Sequence, residues 1–219
     1  MRLQSAIFDL DGTLLDSMGA WEGLMPDLVR ELGLPESEEL KRTIMALTAE
    51  ESAAYCKKNF DVAWSESEIL KWMDARMDLF YSTQVEAKPG VKEFLSILKM
   101  EGVWMYIATS TNRHQVELAL NRTGLAPYFR GIITGQEVSA GKDVSAEIYE
   151  KAMTRLRGNK RDTVVFEDAI HAIRTASKAG FRVAAVYDPY AAYAEEEIRA
   201  LSEIYIRSYT ELFQSNTDF

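Results

Sequence analysis

Cysteine is nearly absent from this 219-residue sequence, which contains only Cys56. An intramolecular disulfide is therefore impossible, and a zinc site built from several cysteines is excluded. Long apolar runs are also missing, since the longest, such as Val183 to Tyr187, have the length of a strand and are too short to cross a bilayer. The stretch from Met1 to Phe8 has no apolar core long enough for a signal peptide. These absences predict a cytoplasmic protein with no membrane partner.

Positive charge is scarce as well, because 25 Lys and Arg residues face 34 Asp and Glu residues, giving a formal net charge of −9. Such a surface should repel nucleic acid and anionic membranes, although a local basic pocket can still hold a small anion. Apolar residues make up 47% and charged residues 27% of the chain, as in an ordinary globular protein. The length suits one large domain, or one domain with a small insert. Nothing in the sequence indicates the oligomeric state.

Three segments repeat one local pattern, in which apolar residues at helical spacing are followed by a glycine and a short apolar run. A glycine suits the left-handed position just past a helix end, and the change of period indicates a strand. Strands that alternate with helices pair in parallel, so the sequence predicts an α/β fold. The predicted strands, at least five, are Leu3 to Phe8, Val103 to Ala108, Gly131 to Thr134, Thr163 to Phe166 and Arg182 to Tyr187.

The stretch from about Asp16 to Ala87 contains no convincing strand. Two helical faces stand out there, one with Trp21, Leu24, Met25 and Leu28, the other with Ile69, Trp72, Met73, Met77 and Phe80. The α/β pattern returns after the breaker cluster at residues 88–90. We therefore predict a core domain of residues 1–15 and 88–219, and an all-helical domain of residues 16–87 inserted after the first strand.

The first chemically suggestive motif lies at the end of the first predicted strand, where Asp9 and Asp11 are separated by one residue. If the strand continued, both side chains would lie on the same side. Gly12 then lets the chain turn away sharply. Open α/β sheets bind ligands outside the carboxyl ends of their strands, so both acids are at the right end for chemistry. The alternative is a solvated strand-to-turn junction with two ordinary aspartates.

Three further polar segments follow predicted strands. Thr109 and Ser110 end the second strand just before a helix, where hydroxyls and backbone N–H groups can seat a phosphate; an ordinary N-cap is the alternative. Lys142 follows the third strand and could neutralise a phosphoryl oxygen, or be a solvated surface charge. Glu167 and Asp168 end the fourth strand, where a carboxylate could hold a cation with the first acidic pair; helix capping by Asp168 is the alternative.

The shared position of these residues at strand ends favours one common site. Carboxylates, a hydroxyl and a lysine supply what phosphoryl transfer needs: a nucleophile, an acid and base, a phosphate cradle and a cation. Magnesium prefers oxygen ligands and keeps several waters, so few protein carboxylates suffice to bind it.

With these motifs the chain resembles a haloacid dehalogenase (HAD)-superfamily hydrolase, of the branch that includes β-phosphoglucomutase and phosphoglycolate phosphatase. The resemblance covers nearly the whole chain. It implies a Rossmann-like HAD core, with a mainly parallel sheet flanked by helices, and an inserted all-α helical cap domain that flexes. The matches, in the family's order, are Asp9-Leu10-Asp11-Gly12-Thr13, then Thr109, then Lys142, then Glu167-Asp168.

The resemblance also implies a role for each acidic residue. Asp9 would attack phosphorus as a nucleophile. Asp11 would protonate the leaving oxygen and then activate water to hydrolyse the aspartyl-phosphate. Asp9, the Asp11 backbone carbonyl and Asp168 would hold Mg²⁺, with Glu167 in support. Dehalogenases and phosphonate-cleaving relatives do not keep an aspartate at the position of Asp11, whereas phosphatases and mutases do.

The resemblance assigns the grip on the phosphoryl oxygens to Thr109, the Ser110 backbone and Lys142. The third motif departs from the family pattern, because the usual Lys-Pro-x-Pro is Lys142-Asp143-Val144-Ser145 here, and the loss of both prolines should loosen that loop. The fourth motif continues with Ala169 where the family usually has serine, which exchanges one small residue for another.

The sequence favours a Mg²⁺-dependent phosphatase of a small phosphorylated metabolite. A β-phosphoglucomutase-type sugar-phosphate mutase is the alternative, and a non-enzymatic, phosphate-accepting signalling domain is a third possibility. Signalling receivers also use clustered aspartates with a threonine and a lysine, but they are usually shorter and lack a helical insert. The sequence identifies neither the metabolite nor a role for His114 and His171.

Two features weaken the mutase alternative. By the resemblance, a mutase carries a histidine early in its first cap helix, and that position is Trp21 here. A mutase also holds a second phosphate through an arginine in a cap loop, whereas the matching residues here, Ala46 to Glu50, contain none. On the core side, Thr111, Asn112 and Arg113 could still bind a distal anionic group of the substrate.

Overall fold

The computed structural model describes residues 3–45 and 47–213, so Ala46 of the predicted cap loop lies outside the described residues. The chain forms, in order, β1 (Ser5–Phe8), β2 (Leu15–Asp16), α1 (Met18–Glu31), α2 (Glu38–Met45), α3 (Ala49–Asn59), α4 (Glu66–Thr83), β3 (Glu86–Ala87), α5 (Val91–Met100), β4 (Trp104–Thr109), α6 (Arg113–Thr123), β5 (Ile132–Thr134), α7 (Glu147–Arg155), β6 (Thr163–Glu167), α8 (Ile170–Lys178), β7 (Arg182–Val186), α9 (Glu195–Leu201) and β8 (Ile204–Ile206).

Six parallel strands form one sheet in the order β5-β4-β1-β6-β7-β8. All five predicted strands are present, and the α/β fold class is confirmed. The sequence analysis did not identify β8, a three-residue edge strand too short to give a clear pattern. From β1 the chain first builds outward through β4 and β5, then returns to place β6 on the other side of β1. The strand order therefore reverses at β1, where an α/β sheet opens a crevice for a ligand.

Apolar layers cover both faces of the sheet because successive strand residues point to opposite sides. Ile7 of β1 belongs to a buried cluster with residues of α7, α8 and α9. On the other face, Phe8 stacks on Phe166 with ring centroids 4.3 Å apart and packs edge-on against Phe94 of α5. Burying each large side chain of this kind stabilises the fold by ~1.5–3 kcal/mol.

The described residues group into two compact units, one with residues up to Asp16 and from Val85 onward, the other with Ser17–Gln84. The second unit contains α1 to α4 and, among its described residues, no strand. Each predicted helical face is buried in part: α1 buries Leu24, Leu28 and Val29, and α4 buries Ile69, Met73, Met77 and Tyr81. The Trp21 indole donates to the Tyr81 hydroxyl at 3.0 Å, so Trp21 helps to join these helices.

A short antiparallel ribbon of β2 and β3 pairs Leu15 with Ala87 and Asp16 with Glu86. The ribbon pairs the segment by which the chain leaves the sheet unit with the segment by which it returns. Strands of two residues have no periodicity that a sequence could reveal, and the ribbon was not predicted. None of the described helices has the length and apolar character required to cross a membrane.

Candidate active site

The register of the sheet brings two predicted acids together. Phe8 of β1 pairs with Phe166 of β6, so the residues that follow, Asp9 and Glu167, are neighbours at the carboxyl ends of adjacent strands. The Asp9 backbone N–H donates to the Phe166 carbonyl at 2.9 Å and fixes this alignment one residue beyond β1. Both carboxylates are buried.

Lys142 is also buried at this edge and is not a solvated surface charge. Its ammonium donates to Asp9 Oδ1 and to Glu167 Oε1, the latter at 2.6 Å. Burial lowers the pKa of Lys142, but the facing carboxylates of Asp9 and Glu167 outweigh burial and raise it above its ordinary value. Lys142 therefore remains a cation.

Asp168 lies beside the same cluster, where a residue of the first motif, Thr13, binds its side chain. The Thr13 hydroxyl donates to Asp168 Oδ1 at 2.9 Å. Gly12 has a φ of +78°, and a Cβ there would lie 2.8 Å from Cγ of Asp168, so the approach of Asp168 requires glycine at this turn. Asp168 does not cap the following helix, because the N-cap of α8 is Ala169.

Asp9, Glu167 and Asp168 each offer a carboxylate oxygen, and these atoms lie within 4.8 Å of one another. Burial raises the pKa of Asp9 to about 7, since the opposing charge of Lys142 does not fully offset burial and the neighbouring carboxylates. Burial, with Glu167 and Asp9 nearby, raises the pKa of Asp168 well above its ordinary value. Three buried carboxylates against one ammonium leave excess negative charge, which an oxygen-preferring divalent cation would neutralise.

Glu167 is the most fully hydrogen-bonded member of this cluster. Its Oε1 accepts from Lys142 and from the Tyr149 hydroxyl, the latter at 2.8 Å. Its Oε2 accepts from the backbone N–H groups of Asp168 at 3.1 Å and Ala169 at 3.3 Å. These bonds suit the supporting position that the resemblance implied for Glu167.

Asp11 and the second motif also come together. The Thr111 hydroxyl donates to Asp11 Oδ2 at 2.6 Å, and the Thr111 backbone N–H donates to Thr109 Oγ1 at 3.2 Å. Thr109 and Thr111 are buried, whereas Asp11 is half-buried. Thr109 is not an N-cap, because α6 is capped by Asn112.

Other predicted residues make their contacts elsewhere. Asn112 Oδ1 accepts from the Gln115 backbone at 3.0 Å. The Arg113 guanidinium donates to Glu137 at 2.7 Å and to the Ile132 carbonyl at 3.1 Å. Ser110 is exposed between β4 and α6. His114 and His171 are exposed on α6 and α8.

The sequence analysis did not identify the contacts of three residues in this region. The sequence indicates Thr13 only as part of the first motif. Tyr149 falls among the buried apolar positions of α7, so its spacing indicates ordinary core. Lys88 belongs to a segment that the sequence marks only as a breaker, yet its ammonium donates to Asp188 at 2.9 Å and to the Tyr187 carbonyl at 2.7 Å.

A comparison with known families agrees with this geometry. Residues 6–186 match the family described as haloacid dehalogenase-like hydrolase, which covers most of the chain. The chain belongs to the haloacid dehalogenase-like hydrolases. Its matched segment begins in β1 and ends in β7, so it includes every residue of the acidic cluster.

Several relatives of this haloacid dehalogenase-like hydrolase are phosphatases by name. It is 28% identical to the phosphorylated carbohydrates phosphatase of Thermotoga maritima, over 81% of this chain and 82% of that protein. It is 30% identical to the protein CbbY of Rhodobacter capsulatus, over 84% and 85%. The solved structure of CbbY from Rhodobacter sphaeroides with phosphate has a TM-score of 0.77, covers 96% of each chain, and at 22% identity supports the fold alone.

Family membership together with these relatives identifies the chain as an enzyme of the phosphoric monoester hydrolase type. This confirms the predicted family and the predicted enzyme class. It also removes the non-enzymatic signalling domain from the candidate functions.

Proposed function

We propose that this enzyme is a Mg²⁺-dependent phosphatase that hydrolyses a small phosphorylated metabolite through an aspartyl-phosphate on Asp9. The observation that carries the proposal is the contact between the buried Asp9 carboxylate and the Lys142 ammonium, next to two further buried carboxylates. Such a cluster is costly to bury and has little structural use, since well-packed apolar residues would stabilise the fold at least as well.

In the first step, an Asp9 oxygen forms a bond to phosphorus while the bond from phosphorus to the ester oxygen breaks. Protonated Asp11 gives its proton to that leaving oxygen. In the second step, Asp11 takes a proton from water, the water oxygen bonds to phosphorus, and inorganic phosphate leaves Asp9 as a free carboxylate. The Thr111 hydroxyl, 2.6 Å from Asp11, orients the carboxyl group for both proton transfers.

The phosphoryl oxygens would be held by Lys142, Thr109 and the Ser110 backbone. These groups carry positive charge or donate hydrogen bonds, so they stabilise the charge that develops on the transferring group. Lys142 has a second effect, because a nearby positive charge favours the ionised Asp9 that attack requires.

A magnesium ion fits the donor set at the same edge of the sheet. Asp9, Asp168 and the Asp11 backbone carbonyl would hold it, with Glu167 in support. When bound, it would neutralise the clustered carboxylates and draw negative charge from the phosphoryl group. The assignment is supported by the three buried carboxylates, whose oxygens lie within 4.8 Å of one another around the Lys142 ammonium.

We propose that the predicted cap of residues 16–87 recognises the leaving group, as the family resemblance implies. The name of the Thermotoga maritima relative favours a phosphorylated carbohydrate as substrate. A mutase remains the weaker alternative, because Arg113, a candidate for a second phosphate, is bound by Glu137 and the Ile132 carbonyl. The cytoplasmic location and the exclusion of nucleic acid and membrane as partners stay predictions from composition.

Turnover of a chromogenic aryl phosphate tests the proposal. Activity should appear with Mg²⁺, disappear in excess EDTA and return when Mg²⁺ is restored, because the cation offsets the buried carboxylates. Full activity in excess chelator would contradict the metal assignment. A panel of phosphorylated sugars then identifies the substrate class.

Phosphorus NMR separates the phosphatase from the mutase. The reaction contains β-glucose 1-phosphate, Mg²⁺ and a trace of glucose 1,6-bisphosphate. If the enzyme accepts β-glucose 1-phosphate, the product should be inorganic phosphate. Glucose 6-phosphate that accumulates faster than inorganic phosphate would assign the mutase instead.

A further inference from the structure

We propose that Tyr149 is a positioning residue, whose hydroxyl holds the Glu167 carboxylate and, through it, the Lys142 ammonium against Asp9. The expected loss of turnover rests on the proposed phosphatase function. The expected displacement of Glu167 and Lys142 does not depend on that function.

Tyr149 contacts both members of the Glu167–Lys142 ion pair. Its side chain is fully buried in α7, and its hydroxyl donates to Glu167 Oε1 at 2.8 Å. The same oxygen accepts from Lys142 Nζ at 2.6 Å, and that nitrogen lies 5.6 Å from the centroid of the Tyr149 ring. The ring packs edge-on against Phe181 with centroids 6.1 Å apart, so the hydroxyl is carried by a side chain fixed in the core.

The hydroxyl completes the hydrogen bonding of Glu167. Backbone N–H groups of Asp168 and Ala169 hold Oε2, and they belong to the turn that starts α8. Within the described part of the chain, the donors to Oε1 are two side chains, those of Tyr149 and Lys142. Without the hydroxyl, Lys142 would be the remaining side-chain donor to Oε1, and a flexible lysine is a poor anchor.

This support is useful because the lysine loop lacks the two prolines that stiffen it in the family pattern. The family pattern places two prolines after the lysine, whereas this chain has Asp143, Val144 and Ser145 there. Val144 is 73% exposed, so its side chain does not anchor the loop to the core. Contacts to the tip of Lys142 therefore help to position its ammonium.

An ordinary core role is the alternative, since a buried tyrosine hydroxyl usually finds some hydrogen-bond partner. The variant Tyr149→Phe removes only the hydroxyl and keeps the ring. Tyr106→Phe is the matched control, because Tyr106 is also a buried tyrosine, and its hydroxyl accepts from Arg155 at 3.0 Å on another part of the sheet unit.

The first measurement is a crystal structure of Tyr149→Phe, which needs no activity. We expect the Glu167 carboxylate to rotate and the Lys142 ammonium to leave Asp9, while Tyr106→Phe keeps both contacts. If Lys142 and Glu167 keep their wild-type positions in Tyr149→Phe, the proposal is overturned. If Lys142 moves but the wild-type protein hydrolyses no phosphate ester, the positioning role stands and the proposed function fails.

The second measurement is the kinetics of the same variants with an aryl phosphate and with an alkyl phosphate. Outer partners of site residues typically contribute 10–100-fold, so we expect kcat of Tyr149→Phe to fall by about tenfold with little change in KM. The loss should be equal for both substrates, because Lys142 contacts the phosphoryl group and not the leaving oxygen. A loss confined to KM, or one matched by Tyr106→Phe, would refute the positioning role.

A double-mutant cycle gives the sharpest check. If Tyr149 acts through Glu167, adding Tyr149→Phe to Glu167→Gln should cost little more than Glu167→Gln alone. Fully additive losses in kcat would show that the two residues act independently and would overturn the proposal.

Discussion

The two compact units differ in where they keep their charges. In the sheet unit Asp9, Lys142, Glu167 and Asp168 are buried together at the strand ends. In the helical unit the described polar residues that are buried are Ser17 and Ser52, and its ion pairs, such as Arg76 with Asp27, lie at the surface. Buried charges cost stability, so their presence in the sheet unit indicates a catalytic role there. The helical unit depends instead on apolar packing and helix capping.

The largest effect expected from this contrast is that of Asp9→Asn. The substitution removes the nucleophile, so phosphatase turnover and phosphoenzyme formation should fall to the limit of detection, a loss on the order of 10⁴-fold or more. Asp61→Asn is the control, because Asp61 is an exposed aspartate of the helical unit and should have no effect on turnover. Wild-type turnover in purified Asp9→Asn would refute the mechanism.

The same variant should be more stable than the wild type when metal is removed. The pKa of Asp9 is raised from 3.8 to about 7 in the folded protein, so the folded state binds the proton more tightly than the unfolded state does. The contribution of Asp9 to stability should therefore fall as pH rises from 4 to 7, so the advantage of Asp9→Asn over the wild type should grow across that range. Urea unfolding in EDTA at several pH values measures the difference, and identical pH profiles would contradict this reading of the cluster.

Asp11→Asn should have a smaller effect on catalysis. General acid–base assistance is typically worth ~10²–10⁴-fold in rate, so kcat should fall by that factor for an alkyl phosphate. An aryl leaving group needs less protonation, and its loss should be smaller. Equal losses for both substrates would argue against the acid role of Asp11 and would match the pattern expected of Tyr149→Phe.

The contrast between the units also explains what the sequence could reveal. Strand ends and helix starts are local patterns, so Asp9, Asp11, Thr109 and the sheet itself could be predicted from them. The burial of Lys142 is not local, because it follows from the distant residues Asp9 and Glu167 meeting in the register of β1 and β6.

Two partners in the site were hidden for the same reason. Tyr149 shares the helical spacing of apolar core residues, and only its hydroxyl contact with Glu167 distinguishes it. Thr13 matters through Asp168, which is 155 positions away in the chain. Long-range polar contacts of this kind leave no periodic signal in one sequence.

The smallest predicted effect concerns the helical unit and should change stability alone. Ser65 caps α4: its hydroxyl accepts from the Glu68 backbone N–H at 3.3 Å, and Glu68 accepts from the Ser65 backbone at 2.7 Å. Ser65→Ala should lower the free energy of unfolding by ~0.5–2 kcal/mol and leave kcat and KM unchanged. Thr48→Ala, which removes the equivalent cap of α3, is the matched variant.

Tryptophan fluorescence during urea unfolding measures this loss, because three of the four tryptophans, Trp21, Trp64 and Trp72, lie in the helical unit. The bonds from Ser65 lower the pKa of Glu68, so the stabilisation is present above the ordinary pKa of 4.5 and is lost as pH falls through the lowered one. The difference between wild type and Ser65→Ala should therefore narrow in acid. If Ser65→Ala loses turnover while its stability stays intact, the N-cap of α4 serves catalysis. The distinction between a catalytic sheet unit and a helical unit without buried charges among its described residues would then be wrong.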